Sequence, residues 1–274
     1  MTTAAQDLDL IAAAARRAGQ RGLELAASGY RKWEKSPGNP VTDADMELDR
    51  LLSDHLRAER PAYGWLSEER EDDRARLDCD RAFLVDPIDG TRDFTRGRPG
   101  WCVSIAVVEA GEPIAAAIYQ PPADILYTAS RGGGAFRNGE PIHVSERRDL
   151  AGARLPVDAD VLRSKHWQGP QCVAVAKPNS IALRMAMIAD GTADAMFDGR
   201  ESRELDIAAA VLIVTEAGGV TSDTEGLKPH FNKPIARERN LIVAATPQLH
   251  EQMRLEAKGM LERRRADRER RRGG

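Results

Sequence analysis

The run Ala82-Phe83-Leu84-Val85-Asp86-Pro87-Ile88-Asp89-Gly90-Thr91 constrains this chain more than any other segment. Four consecutive apolar residues read as a short buried strand, and that strand ends on an acid. A second acid, Asp89, follows in a turn shaped by Pro87, which fixes φ, and Gly90, which permits a close backbone approach. Two carboxylates held at the end of a core strand repel one another unless a cation lies between them. Hard divalent ions take oxygen ligands, and magnesium commonly uses one or two carboxylates together with water and phosphate. Gly90-Thr91 then offers backbone N–H groups in a turn or helix start, a natural seat for a phosphate. The plain alternative is that Asp86 and Asp89 only shape a turn.

Three further acids bear on that choice. Asp45 follows Val41-Thr42 at a helix start, Glu68-Glu69 follows a short strand at Trp65-Leu66, and Asp206 opens an apolar helix. A carboxylate facing a core is costly without a partner. Each has an ordinary reading by itself: helix cap for Asp45 and Asp206, surface charge for Glu68. Their combination with the turn carries the signal.

The rest of the chain supplies a scaffold. Helices are expected at 8–28 (ended near Gly29), from Thr42 or Asp43 to about Arg60, at 180–191, at 204–217 before Gly218-Gly219, and at 247–272. Ser36-Pro37-Gly38-Asn39-Pro40 reads as a loop, and the charged stretch 70–81 as a mobile surface loop. Val103–Val108, Ile114–Tyr119 and Ile125–Ala129 read as a meandering antiparallel sheet, and Leu241–Ala245 as a late strand. Residues 151–180 give no clear pattern. Helices and strands come in blocks, which favours an α+β arrangement over a strictly alternating one. Three regions are expected: 1–145 with most of the ligands, 146–250 completing the site, and 251–274 as closing helix and basic tail.

Composition narrows the function classes. The 274 residues suffice for a full core, and no apolar run approaches the roughly 20 residues of a membrane helix. The polar, acidic start does not read as a secretory signal, and three scattered cysteines argue against a disulfide framework, so a cytoplasmic setting is expected. The histidines show no zinc-ligand spacing. From Lys258 onward eight basic residues face three acidic ones, a balance of +5; the net charge of −3 leaves −8 for the remainder. An acidic body argues against nucleic acid as the main partner. The basic tail reads as a solvated helix end, with a nucleic-acid or membrane-surface contact as the other reading.

Taken together, Asn39-Pro40-Val41-Thr42-Asp43-Ala44-Asp45, Glu68-Glu69, Asp86-Pro87-Ile88-Asp89-Gly90-Thr91 and Leu205-Asp206-Ile207-Ala208-Ala209-Ala210 with Glu216-Ala217-Gly218-Gly219 resemble the inositol monophosphatase superfamily. The match in order and spacing runs over about residues 10–250, and Gly132–Gly139 resembles the family's hairpin. The resemblance implies a layered αβαβα sugar-phosphatase fold and a magnesium-dependent phosphomonoesterase using two or three ions. It implies that Glu68, Asp86 and the Ile88 carbonyl hold one ion, and Asp86, Asp89 and Asp206 a second. Asp45 and Thr91 would orient the attacking water, with Glu68 also catalytic, and Gly90 and Thr91 would bind phosphate oxygens. One ion lowering the pKa of a water while another stabilises the leaving oxygen is the logic of two-metal hydrolysis. No covalent phosphoenzyme, sensitivity to lithium and a homodimer are implied as well.

Other phosphatase chemistries do not fit. A cysteine nucleophile needs an arginine six residues on, where this chain has Val85, Val108 and Pro178. An aspartyl nucleophile uses Asp-x-Asp-Gly-Thr, and Pro87 occupies the nucleophile position here. Ser67-Glu68-Glu69 and Thr91-Arg92-Asp93-Phe94 are similar to the 3'(2'),5'-bisphosphate nucleotidase branch, which implies hydrolysis of 3'-phosphoadenosine 5'-phosphate to AMP. Arg92 and Arg184, with Arg96, Arg98 and Lys177, could meet a second phosphate, or could simply be solvated. An inositol monophosphatase or a histidinol-phosphate phosphatase is the rival, and an inactive scaffold with a nucleic-acid-binding tail a third reading. Leu205, Ala210 and Asn179 depart from the family's usual Trp, Gly and Gly; none removes a ligand.

Overall fold

A computed structural model describes residues 2–36 and 39–272. Helix α1 (Ala4–Ser28) begins with a capping box in which the Thr3 side chain and Gln6 satisfy each other's backbone amides, and it stops at Gly29, φ +89°. The hairpin β1 (Lys32–Ser36) and β2 (Asn39–Thr42) follows; of the loop expected at 36–40, Pro37 and Gly38 lie outside the described residues. Next come α2 (Asp43–Glu59), β3 (Gly64–Ser67), β4 (Arg81–Asp89), the single turn α3 (Thr91–Phe94), β5 (Cys102–Glu109), β6 (Glu112–Gln120), β7 (Ile125–Ser130), β8 (Gly134–Arg137) and β9 (Glu140–Pro141). The second half holds β10 (Arg154–Leu155), α4 (Ala159–Arg163), β11 (Val173–Ala174), α5 (Ile181–Ala189), β12 (Ala195–Arg203), α6 (Glu204–Glu216), β13 (Val220–Ser222), β14 (Arg237–Ala244) and α7 (Pro247–Arg272).

Strands β3 to β9 form one sheet in chain order, antiparallel except for the parallel pair β3/β4. Its two faces follow the period of two along each strand. Phe83 and Val85 of β4, Val103, Ile105 and Val107 of β5 and Ala115, Ala117 and Tyr119 of β6 pack with Ile11, Leu48, Leu52 and Leu56 of α1 and α2. Ala82, Leu84, Ala106, Val108, Ala116 and Ile118 pack on the other side with α5 and α6. Helix α6 is apolar around its whole circumference because it is covered on both sides, by this sheet and by the three-stranded sheet β12-β14-β13. Leu241 and Val243 of β14 face α5 and α6, whereas Ile242 and Ala244 face Leu249, Met253 and Ala257 of α7. The layers are therefore α1/α2, large sheet, α5/α6, small sheet and α7: the expected α+β, αβαβα sandwich. Each fully buried Leu or Ile in these interfaces is worth roughly 1.5–3 kcal/mol.

One expectation needs correction, and one strand went unread. The stretch 70–81 is tied down: Arg76 is buried, packs on Gly64, and donates to Asp72 at 2.7 Å, Asn232 at 2.6 Å and the Lys233 carbonyl at 2.8 Å. Strand β12 was not legible because Ala-Met-Phe-Asp-Gly-Arg-Glu-Ser-Arg carries a glycine and four charges. No helix among the described residues is long and apolar enough to cross a membrane.

Candidate active site

The large sheet brings the acids together through register. β3 runs parallel to β4 with Ser67 opposite Val85, so Glu68, one residue on, leaves the sheet beside Asp86. Asp86 and Asp89 are three residues apart and would point to opposite faces of a regular strand. The pairing of β4 with β5 passes from Asp86↔Ser104 to Asp89↔Cys102, so one extra residue sits on β4. That bulge, at Pro87-Ile88, turns both carboxylates to the α5/α6 face. Pro87 is tolerated there because a bulge leaves a residue out of the ladder. Asp86 Oδ1 accepts from the Ile88 amide at 3.0 Å.

Helix N-termini meet the strand end. Asp89 Oδ2 accepts from Ser180 Oγ at 2.5 Å and from the Ala182 amide at 2.8 Å, so its carboxylate lies at the start of α5. Asp45 is the third residue of α2: its Oδ2 accepts from Thr42 N at 2.7 Å and Thr42 Oγ1 at 2.6 Å, while the Asp45 amide donates back to Thr42 Oγ1. Thr91 Oγ1 lies 3.4 Å from Asp45 Oδ1 and 3.1 Å from the Ile88 carbonyl. Asp206 is the third residue of α6 and accepts from Arg203 N at 3.2 Å. Three carboxylates thus sit where helix dipoles favour negative charge. Gly90 lets the turn close: its φ is +100°, and a Cβ there would lie 2.7 Å from the Gly100 carbonyl oxygen.

The charges remain uncomfortable. Burial, then the charges of Glu68, Asp89, Asp206 and Asp45, push the Asp86 carboxyl well above its ordinary range. Asp206 is likewise raised by burial and by Asp89 and Glu68. Asp89 is raised to about 6 by burial, against the hydrogen bonds of Ser180 and Ala182. Asp45 is raised to about 6 by burial, against the bonds from Thr42, with Glu68 adding repulsion. Arg203 pairs with Glu68 at 2.7 Å. The donor set is carboxylate and carbonyl oxygen, with no His or Cys in the cavity wall among the described residues, and it suits a hard divalent cation. Among the described residues no three such side chains are already drawn in on a single point; they surround a cavity of about 310 Å³.

Glu68, Asp86, Ile88, Asp89, Gly90, Thr91, Arg92 and Asp206 all line that cavity, and Asp45 is reached through Thr91. Arg184 does not: the otherwise apolar α5 turns it inward, where its guanidinium is buried 3.4 Å from Asp198. Two more residues that leaned toward a nucleotide have structural partners. Ser67 Oγ donates to Asp49, and the Asp93 carboxylate accepts from the Asn179 amide at 3.0 Å. Sequence reasoning missed Arg200, Glu201, Arg203 and Arg237, which complete the wall. The signal for the first three was the density of charge in Arg-Glu-Ser-Arg just ahead of Asp206; Arg237 had none.

The family model for the inositol monophosphatase family matches residues 1–259. An "Inositol-1-monophosphatase" of Rhizobium meliloti is 34% identical over 205 residues, covering 70% of this chain and 75% of that protein. A "Nus factor SuhB" of Xylella fastidiosa is 36% identical over 203 residues, covering 70% and 72%. Among solved structures, an IMPase of Thermotoga maritima superposes with a TM-score of 0.80 at 27% identity, covering 94% of this chain and 99% of that one. None of these names is a bisphosphate nucleotidase. The bulged strand, the acids it gathers and the layers that hold them are those of a known lineage: this chain belongs to the inositol monophosphatase family and is, with it, a magnesium-dependent phosphoric monoester hydrolase.

Proposed function

We propose that the chain hydrolyses a small phosphorylated polyol, with inositol 1-phosphate as reference substrate, by attack of an activated water. The observation that carries this is the Thr91 hydroxyl set between Asp45 Oδ1 and the Ile88 carbonyl at the edge of a carboxylate-lined cavity. When Thr91 donates to Asp45, its lone pairs are left to accept from a water, and a proton taken from that water passes to Asp45 Oδ1. Before any ion binds, burial raises the Asp45 carboxyl to about 6, so it can take up a proton more readily than an exposed carboxylate. Glu68, Asp86, the Ile88 carbonyl, Asp89 and Asp206 would hold magnesium, which when bound supplies a more acidic water and neutralises charge on the leaving oxygen. Gly90 and Thr91, at the head of α3, would receive the phosphate oxygens.

The polyol reading displaces the nucleotide bisphosphate expected from Ser67, Arg92, Asp93 and Arg184. Ser67, Asp93 and Arg184 have structural partners, and the relatives at 34–35% identity carry the inositol-1-monophosphatase name. Phosphate release from inositol 1-phosphate, 3'-phosphoadenosine 5'-phosphate and histidinol phosphate, with and without magnesium, tests it. The expected order places inositol 1-phosphate first, with inhibition by lithium. Tenfold preference for the nucleotide would reverse the substrate reading; no magnesium-dependent turnover of any of the three would favour an inactive scaffold.

A further inference from the structure

One part of the cavity wall has a charge pattern that hydrolysis of a monophosphate does not use. It comes from the paired ends of β12 and β14, where Arg203 lies directly across from Arg237 and Glu201 from Arg239. Like charges directly opposite on a strand pair are unfavourable, and local conflicts of this kind collect at functional sites. A second bulge adds to it: the pairing slips by one residue between Asp198 and Glu201, which inserts Gly199-Arg200 and brings Arg200 to the cavity wall.

Three guanidiniums on this rim, those of Arg200, Arg237 and Arg239, share two carboxylates. Asp198 accepts from Arg200 Nε at 3.0 Å and Nη2 at 2.9 Å and has Arg184 at 3.4 Å behind it. Glu201 has Arg237 at 3.4 Å and Arg239 at 3.0 Å. Arg203 is matched separately by Glu68. The rim is therefore left at +1, and Arg184 behind it draws further on Asp198. The Arg200 side chain is 71% exposed and that of Arg237 44%, so both present N–H groups to solvent at the cavity edge. Arginine is suited to planar, bidentate recognition of phosphate or carboxylate.

We infer that Arg200 and Arg237 form a second-anion subsite, so that the preferred substrate carries, besides the phosphate that is cleaved, another anionic group. This rests on the phosphomonoesterase reading above and deepens it. It returns a second anion to the substrate through residues of β12 and β14, not through Arg184, which is buried.

The test compares kcat/KM of the full-length protein with magnesium on two pairs matched except for the extra anion. These are inositol 1,4-bisphosphate against inositol 1-phosphate, and 3-phosphoglycerate against glycerol 1-phosphate. The wild type is expected to favour the doubly anionic member at least tenfold, mainly through KM. In the Arg200→Gln/Arg237→Gln double variant that ratio is expected to fall to within about twofold of unity. A preference confined to the bisphosphate pair identifies a phosphate subsite, and one shared by both pairs a general anion subsite. Equal turnover within both pairs in the wild type, or an unchanged ratio in the double variant, overturns the inference. Calorimetric binding of the two inositol phosphates to both proteins without magnesium reads the subsite independently. Failure of all turnover with intact selective binding would therefore count against the phosphatase reading alone.

Discussion

Ser180→Ala removes a hydroxyl that does two jobs in a fully buried position. Its Oγ donates to Asp89 at 2.5 Å and accepts from the Leu183 amide at 2.9 Å as the N-cap of α5. Loss of a serine N-cap costs about 1 kcal/mol. A hydrogen bond to a charged group contributes about 1.5–3 kcal/mol. Asp89 keeps the Ala182 amide at 2.8 Å, which moderates the second loss, so a destabilisation of about 3 kcal/mol is expected. Urea unfolding at pH 7 in EDTA measures it without any contribution from bound ions. In parallel, the magnesium concentration for half-maximal rate is expected to rise about tenfold, because an outer hydrogen bond that orients a ligating carboxylate typically carries 10–100-fold in metal affinity. A stability loss below about 0.5 kcal/mol together with an unchanged magnesium requirement would refute the view that the α5 start holds Asp89 in place.

Thr91→Val keeps the shape and removes the relay hydroxyl; kcat is expected to fall about 10²–10⁴-fold with KM little changed, and a loss below threefold in steady-state assays would reject the relay. Gly90→Ala places a Cβ 2.7 Å from the Gly100 oxygen at φ +100°, so a drop of at least about 2 kcal/mol in chemical denaturation is expected. Without ions, Asp45 and Asp89 have folded pKa values of about 6, above their ordinary 3.8, and Asp86 and Asp206 are raised too. Groups raised in this way bind protons more tightly folded than unfolded, so their contribution is fully present below about pH 4 and is lost as pH rises through about 6. Thermal melts in EDTA are expected to show that loss and magnesium to reverse it; melting temperatures that climb from pH 4 to 6 in EDTA would contradict the crowding of these acids.

Local chemistry was the legible part. Thr42 and Asp45 form a capping box within four residues, and Gly29 and Gly218 stop their helices at short range, so these features need no tertiary knowledge. The meander β5 to β7 was readable for the same reason: short turns join adjacent antiparallel strands. The site needed more. That Glu68 stands beside Asp86 depends on a parallel register between strands separated by thirteen residues, which the family resemblance conveyed and the local pattern did not. Arg184 was misplaced because a charged residue reads as exposed until its helix is known to be covered on every side. Arg200 and Arg237 were missed because a bulge and a strand pairing between distant segments, not a motif, bring them to the cavity.

The capping box of α2 divides the labour of a single carboxylate. Oδ2 of Asp45 is fully engaged by the Thr42 amide and hydroxyl, while Oδ1 faces Thr91. In the proposed relay a proton arriving from the active site would land on the oxygen that does not bond the helix start. Such a relay would insulate fraying of α2 from the chemistry, although both would depend on the same side chain. Hydrogen exchange at the Thr42 amide would register that insulation as slow exchange that persists while Asp45 titrates.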